Sequence, residues 1–571
     1  MLIDGTEQAH ADFVQFDVCI VGSGPSGITL AREVSQSGIR VCLLESGGLK
    51  PAEDIQKLNA GAVESAYGYS ERILREGRRR QFGGTANLWN HQVRNESDRH
   101  IRYVPLDSID FERRDWVPES GWPISRREIE PYYDRAKTVC GIGKLEHRTE
   151  TESRTKKNRP WQTEKIESIV SQFGSSDIFL KNYRQELVRD ERITVVLRAV
   201  LLRLQMDPLS RAIISAQVGL PGGRQFLVRA RFFVLAAGGL ENARILLLQH
   251  HLQPGGLGNQ HDMVGRCFMD HPQIKLGTLI PFSSAVFGQA GFYDQHDFNG
   301  QALMGILRIR PEVMRRQKML NICAVLVPHF KNLRANGQAI LHQLLVRGPR
   351  FLWRQRSAEH RSVRNGGEPP KLLRRRLLEE YYSEGCCGWS RLNGLERRFG
   401  EFGVRSLVEQ SPDRSNRIML QEQTDAFGQQ KIKVLWRWNE LDLHSICQAQ
   451  QIFREELAKA NLGNFIPMEE ATGSQPRRFS SPHHFMGTTR MHENPRNGVV
   501  DADCRVHDVP NLFIVGSSVF PTGGFANPTL TIVALAIRLA THLQSELRST
   551  AQIQTSPAPS GRSHSFTKTW P

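Results

Sequence analysis

Three glycines constrain this chain more than any other feature. Gly22, Gly24 and Gly27 stand in the pattern G-x-G-x-x-G (Gly22-Ser23-Gly24-Pro25-Ser26-Gly27). An apolar run, 16–21, precedes them, and a segment of helical apolar spacing, 28–37, follows and stops at Gly38. A second apolar run, 41–44, then ends on Glu45 and Ser46. In a strand–turn–helix–strand unit each position has a task. The first glycine permits the tight turn, the second lets backbone approach a pyrophosphate, and the third lets the helix pack close to the sheet. The helix start offers N–H groups to phosphate, and an acidic residue ending the next strand accepts from ribose hydroxyls. The pattern predicts an α/β chain with a Rossmann-like dinucleotide-binding sheet. By itself it does not separate FAD from NAD.

Composition narrows the class. The 571 residues suffice for two to four domain-sized units. The 27 Phe, 9 Trp and 9 Tyr exclude a largely disordered chain. No run is apolar enough to span a bilayer. The N-terminal stretch carries Asp4, Glu7 and Asp12 with no apolar core, so no secretory signal is read and a cytoplasmic location is expected. Nine scattered cysteines form no C-x-x-C, which speaks against a disulfide framework or a zinc ribbon. No metal is expected, because neither His483 nor His484 has a ligand at metal spacing.

The formal net charge is +16, and the stretch 347–376 supplies half of it, with ten Lys or Arg against Glu359 and Glu368. No nucleic-acid-binding pattern accompanies it, so no nucleic-acid partner is expected. A solvated helical face is the plain reading; contact with an anionic partner or a membrane surface is the other.

Two further strand patterns end in glycine: 226–236, followed by Ala237-Gly238-Gly239, and 511–515, followed by Gly516-Ser517 and a helix over 529–543. Glycine-ended strands near the beginning, middle and end imply one nucleotide-binding domain built from separated pieces, with a second domain inserted between them. The tail 549–571 is rich in Ser, Thr and Pro and reads as disordered.

Two other clusters bear chemistry. Arg80-Gln-Phe-Gly83-Gly84-Thr85-Ala-Asn87-Leu88-Trp89 suits a loop laid against a flat ring or a phosphate, where a Cβ would collide; an ordinary Gly-Gly turn beside a packed Trp reads equally well. The last cluster is His483-His484-Phe-Met-Gly487-Thr488 followed by Gly523-Gly524-Phe-Ala-Asn527-Pro528-Thr529. Asn before Pro is a helix start, which makes Asn527 a capping residue. The same helix end is positive and suits negative charge on a reduced flavin. A histidine pair taken alone is more often structural than catalytic.

Together these stretches resemble the glucose–methanol–choline (GMC) flavoprotein oxidoreductases. The resemblance extends to Gly121-Trp-Pro-Ile and Tyr132-Tyr133, to 234–244, and to Gly265-Arg266 with Asp270-His271-Pro272. The His/Asn form of the closing pair is similar to the sugar-oxidising branch: pyranose oxidase, fructose dehydrogenase and the gluconate dehydrogenase flavoprotein. The resemblance implies a discontinuous FAD domain (14–275, with a flavin loop at 78–95, and 491–548) after a short extension, 1–13. It also implies a substrate domain on a mainly antiparallel sheet at 276–490.

The FAD-binding residues it implies are Gly22, Ser23, Gly24, Pro25, Ser26, Gly27, Glu45, Ser46, Arg80, Gly83, Gly84, Thr85, Asn87, Leu88, Trp89, Val200, Ala237, Gly238, Gly516, Ser517, Asn527, Pro528 and Thr529. His484 becomes the base and Asn527 its partner in oxidising a CH–OH group of a sugar, amino sugar or polyol. Leu88 stands where pyranose oxidase has the histidine linked to FAD, so the flavin is expected to be non-covalent. Oxygen, a quinone or a protein remains open as electron acceptor. A lyase on the same fold and an electron-transfer subunit of a membrane dehydrogenase are the alternatives.

Overall fold

The computed structural model describes residues 1–5, 13–65, 69–91, 93, 98–143, 160–331, 388–468 and 479–555. Its first sheet grows around the strand Phe13–Val21, in which Val18, Cys19 and Ile20 are fully buried. An apolar run without polar alternation is what a strand covered on both faces requires. Its parallel neighbours are Val41–Glu45 and Gln225–Leu235, and Leu512–Ile514 adds in parallel to Gln225–Leu235. Ile193–Leu197 and Leu2–Asp4 extend one edge in parallel; Ile213–Gly219 and Val200–Met206 continue the other edge antiparallel.

Register decides where a ligand can sit. Val21 lies opposite both Leu44 and Leu235, and Leu235 lies opposite Ile514. The residues just beyond these four strand ends (Gly22, Glu45, Ala236 to Gly238, and Gly516) therefore meet along one rim. In an open parallel sheet that carboxyl-end rim is the ligand crevice. The helix Pro25–Ser35 covers one face and packs on the long helix Thr529–Thr555, which in turn packs on Arg126–Val139.

The second sheet is antiparallel and runs in the order Gly463–Pro467, Gln273–Pro281, Phe399–Val408, Ile322–Phe330, Gln301–Ile309, Ile166–Ser175, His100–Tyr103. Two short strands add to it, His296–Phe298 and Phe479–Ser480. A mixed α/β fold with a parallel Rossmann-like sheet and a large antiparallel sheet is thus what the chain adopts. The division by sequence number is less clean than 14–275 against 276–490. His100–Tyr103 and Ile166–Ser175 come from the first range yet pair into the second sheet, and Gly61–Glu64 pairs with Gln430–Leu435. A strand's own alternation gives its buried face but not its partner.

The C-terminal helix is longer than the spacing over 529–543 suggests. It continues to Thr555, into the segment expected to be disordered. Leu547 is buried, and Gln544 donates to the carbonyl of Glu33 at 2.8 Å, so tertiary contact continues past 543 up to the start of that segment. The rest of that tail and the basic stretch 347–376 lie outside the described residues. Among the described residues no helix is long and apolar enough to cross a membrane.

Candidate active site

A cavity of about 640 Å³ opens between the two sheets, within the ~300–1,000 Å³ usual for small-molecule and cofactor pockets. One wall is the glycine turn. Gly22 has φ +108°, and a Cβ there would sit 2.6 Å from the carbonyl oxygen of Ala236. A Cβ on Gly27 would strike the carbonyl oxygen of Gly22, so this glycine is spent on helix–strand packing and does not line the cavity. Gly24 is different: a Cβ added there meets nothing within 4 Å, because the space beside it belongs to the cavity. The helix beginning at Pro25 has no side-chain cap and no acid in its first turn, which leaves its N–H groups for an anion.

Glu45 closes this wall. Its Oε2 accepts from the backbone N–H and the hydroxyl of Ser23, at 3.1 and 2.7 Å. Its Oε1 accepts from the N–H of Gly47 at 2.7 Å and from the Ser46 hydroxyl at 3.2 Å. Four donors match a carboxylate's acceptor sites, so a ribose hydroxyl here would displace the Ser46 hydroxyl, the longest of the four.

The loop beside it is bent by Gly83 (φ +89°) and Gly84 (φ +52°), and Gly84 comes close enough that its Cβ would lie 3.1 Å from the Cα of Gly24. Asn87 does not face the cavity. Its amide donates to the carbonyls of Phe82 and Gly84, both at 2.9 Å, and locks the loop. Gly84, Thr85, Leu88 and Trp89 do line it. Trp89 meets Tyr103 and Phe179 edge-on.

Arg80, also on the wall, donates to Asn59 at 2.9 Å and pairs with Glu241 at 2.7 Å. Arg78 and Arg244 share that carboxylate at 3.3 and 3.0 Å. Burial pushes the Glu241 carboxyl up, but Arg80, Arg244 and Arg78 outweigh it and hold it well below the usual range. Gly83 and Val200 stand off the cavity, and Val200 packs instead with Ile55 and Leu58.

Ala237, Gly238, Gly516 and Ser517 supply the third side. Asn242 accepts from the N–H of Ala237 at 2.8 Å and donates to Ser518 at 2.9 Å, joining the two glycine-ended strand exits. Asn527, Pro528 and Thr529 complete that side, and Asn527 is buried. The turn before it rests on residues that the sequence marks only as family-like. The Trp122 indole donates to Thr522 at 2.9 Å, and Tyr133 and Thr531 share a hydrogen bond at 2.7 Å.

The histidines lie across the cavity. His484 follows the strand Phe479–Ser480 and donates its backbone N–H to Asp270 Oδ1 at 2.9 Å. The same oxygen accepts from the N–H of His271 at 2.8 Å. Asp270 Oδ2 accepts from the hydroxyls of Ser481 and Tyr69, the latter at 3.3 Å. The Nδ1 atoms of His271 and His484 are 3.0 Å apart, and their rings are perpendicular. Burial lowers the pKa of His484 well below the ordinary histidine value, and the neighbouring His271, His483, Arg102 and His91 add to this. Its imidazole is therefore neutral near pH 7.

His483 also lines the cavity, in a left-handed backbone conformation with φ +67°. Glycine spacing could not have revealed Arg78, His91, His100, Arg102, Tyr293, Asp294 or Arg405, which also line it. Three of these, His100, Arg102 and Arg405, lie on strands of the second sheet. Among the described residues no cluster of His, Cys, Asp and Glu is arranged to hold a metal.

The groups present fit FAD: an uncapped helix start beside an open Gly24, an acid at the neighbouring strand end, and a cavity long enough to reach from there to His484. Comparison with known proteins agrees. Residues 15–159 match an FAD binding domain and residues 412–536 match the GMC oxidoreductase model. The fructose dehydrogenase large subunit of Gluconobacter japonicus is 24% identical, over 93% of this chain and 98% of that protein. The 2-methyl-1,2-propanediol dehydrogenase of Mycolicibacterium austroafricanum is 23% identical over 95% and 98%. An FAD-dependent oxidoreductase from Chaetomium thermophilum shares the fold, with a TM-score of 0.52 at 15% identity, covering 93% of this chain and all of that one (100%). With the two-sheet fold and the FAD cradle in place, the chain belongs to the GMC oxidoreductase family and is an FAD-dependent oxidoreductase.

Proposed function

We propose that this protein oxidises a CH–OH group of a polyhydroxylated substrate (a sugar, amino sugar or polyol), with His484 as base and Asn527 orienting the hydroxyl. One observation carries the reading: a part-buried, neutral imidazole and a buried amide line the same cavity as the FAD cradle. FAD, when bound, supplies the hydride acceptor. Gly22 to Ser26, Glu45, Arg80, the 84–89 loop, Ala237, Gly238, Gly516 and Ser517 would hold it, and Leu88 at its loop position supports a flavin bound without a covalent link.

What the chain's own residues do follows from their chemistry. His484 takes the hydroxyl proton as the C–H bond is aimed at the acceptor, the work of a general base. Desolvation, more than any neighbouring charge, keeps His484 neutral, and the nearby Arg102 guanidinium also favours the alkoxide character that grows on the substrate oxygen. Asn527 donates to or accepts from the same hydroxyl, restricting its rotation. The positive end of the helix Thr529–Thr555 favours negative charge in the cavity. The substrate side mixes Gln273, Arg102, Arg405 and Ser480 with Trp389, Met304 and Val325, a lining that suits many hydroxyls on an apolar frame. Relatives named for a sugar and for a small diol are consistent with this breadth. The test is an anaerobic titration of the flavin-loaded protein with sugars, amino sugars and polyols; bleaching of the flavin by one class supports the reading.

A further inference from the structure

His271 lies in the Asp270-His271-Pro272 step that leads into the strand Gln273–Pro281. His484 lies on the loop leaving Phe479–Ser480. The backbone clamps the two against each other from both sides. Gln273 pairs with Ser480 on one side. On the other, Met269 and Met486 exchange hydrogen bonds at 3.1 and 2.9 Å. Asp270 then fixes the peptide N–H of both histidines through one oxygen. Between these clamps the two Nδ1 atoms face each other at 3.0 Å, and the His271 side chain is fully buried.

A hydrogen bond between two imidazole Nδ1 atoms needs one proton, so it links the tautomers of the two rings. If His271 donates, His484 accepts at Nδ1 and carries its own proton on Nε2, which leaves it no lone pair for a substrate. If His484 donates, its Nε2 is bare and His271 carries its proton on Nε2. A base at His484 requires the second arrangement, because its Nδ1 is engaged by His271 and only Nε2 is left for a substrate. The Nε2 of His271 lies beside the turn that leads to Asn527, where a Cβ on Gly523 would come within 3.0 Å of it, and it has no hydrogen-bond partner among the described residues.

We propose that His271 is a positioning residue: it accepts the Nδ1 proton of His484 and so holds Nε2 of His484 unprotonated for the substrate hydroxyl. The proposal rests on His484 being the base. In the proton step the substrate O–H bond breaks and an N–H bond forms at Nε2 of His484. The resulting imidazolium still donates its Nδ1–H to His271, so no proton leaves the pair. The same ring touches the turn bearing Asn527, so one buried histidine ties the base to its partner residue.

The test uses the protein as purified, with histidine labelled by 15N in the ring, and assigns the His484 signals by their loss in His484→Ala. The expected spectrum shows His484 with a protonated Nδ1 and a bare Nε2, and His271→Ala shifts the proton of His484 toward Nε2. Nε2 protonated in the wild type overturns the proposal, whatever the substrate proves to be, and does so even if His271→Ala does not fold.

With a substrate that reduces the flavin, His271→Ala lowers the limiting reduction rate about 10²-fold, the scale of a misplaced general base, with KM within about threefold. His271→Asn places a carbonyl acceptor near the Nδ1 position and recovers most of that rate. Equal losses in Ala and Asn, or a loss confined to KM, overturn the proposal. A wild-type flavin that no alcohol reduces, with the expected tautomer intact, overturns the functional reading and leaves only the tautomer assignment of the two histidines standing.

Discussion

The carboxylate of Asp270 reaches across 214 residues of sequence to accept the backbone N–H of His484 at 2.9 Å. It is nearly fully buried and takes three other donors: Tyr69, Ser481 and its neighbour His271. Four converging bonds on one anion make the loop that carries the base a fixed object. Pre-organisation of this kind allows a side chain to act without reorganising during the reaction.

Removing that anchor has a calculable effect. Asp270→Ala strands four donors, two buried and two part-buried, and each buried one costs ~1–3 kcal/mol when left unsatisfied. Urea unfolding is expected to show a loss of at least ~3 kcal/mol, while Asp270→Asn, which keeps one acceptor oxygen and lets both hydroxyls rotate, loses less than half as much. Equal losses in the two variants contradict the assignment.

Substituting the base separates chemistry from binding. His484→Ala is expected to retain FAD with an unchanged spectrum and to lose at least ~10²-fold in the rate of flavin reduction. His483→Ala loses less. Rapid-mixing reduction by a good substrate measures both, and the reverse ranking would move the role of base to His483.

The pH dependence follows from burial. His484 is driven well below its ordinary value of 6.5, so it is deprotonated and competent at pH 6.5 and above. The reduction rate is expected to be flat from pH 8 to 6.5 and to fall only below that. Stability has the same sign. His271, His483 and His484 all have lowered pKa values through burial, so the unfolded chain binds more protons below 6.5. Their contribution is complete above 6.5 and is lost as the pH falls through the lowered values. A loss of rate as the pH falls from 8 to 6.5 would count against His484 as the base.

Two neighbouring glycines give opposite outcomes. Gly24→Ala meets no protein atom, so thermal melting of the flavin-free protein should be nearly unchanged while FAD affinity falls by tenfold or more. Gly27→Ala forces a Cβ onto the Gly22 carbonyl and should destabilise the fold itself, by ~1–3 kcal/mol as overpacking usually does. Circular-dichroism melts and flavin content, measured together, distinguish the two.

Much of this was legible in the sequence wherever a local pattern carried the information. The turn at Gly22 to Gly27, Glu45 at the next strand end and the helix after Pro528 are local, and each lies where its spacing implies. Asn87 was legible as part of a loop but not in its direction, because a side chain that braces its own loop and one that touches a ring share the same residue type. That the helix runs past 543 was hidden because contacts there, such as Gln544 with Glu33, come from the far end of the chain. Asp270 and His271 could be noticed only as part of a familiar stretch. Their pairing with His484 depends on strand register between distant segments, which one sequence does not reveal.

The most direct test of the account is the anaerobic absorption spectrum of the flavin-loaded protein before and after a panel of sugars, amino sugars and polyols. The account predicts an oxidised-flavin spectrum that one of these classes bleaches, with the bleaching slowed at least ~10²-fold in His484→Ala. A protein that takes up no FAD on reconstitution, or a flavin that bleaches equally fast without His484, would contradict it.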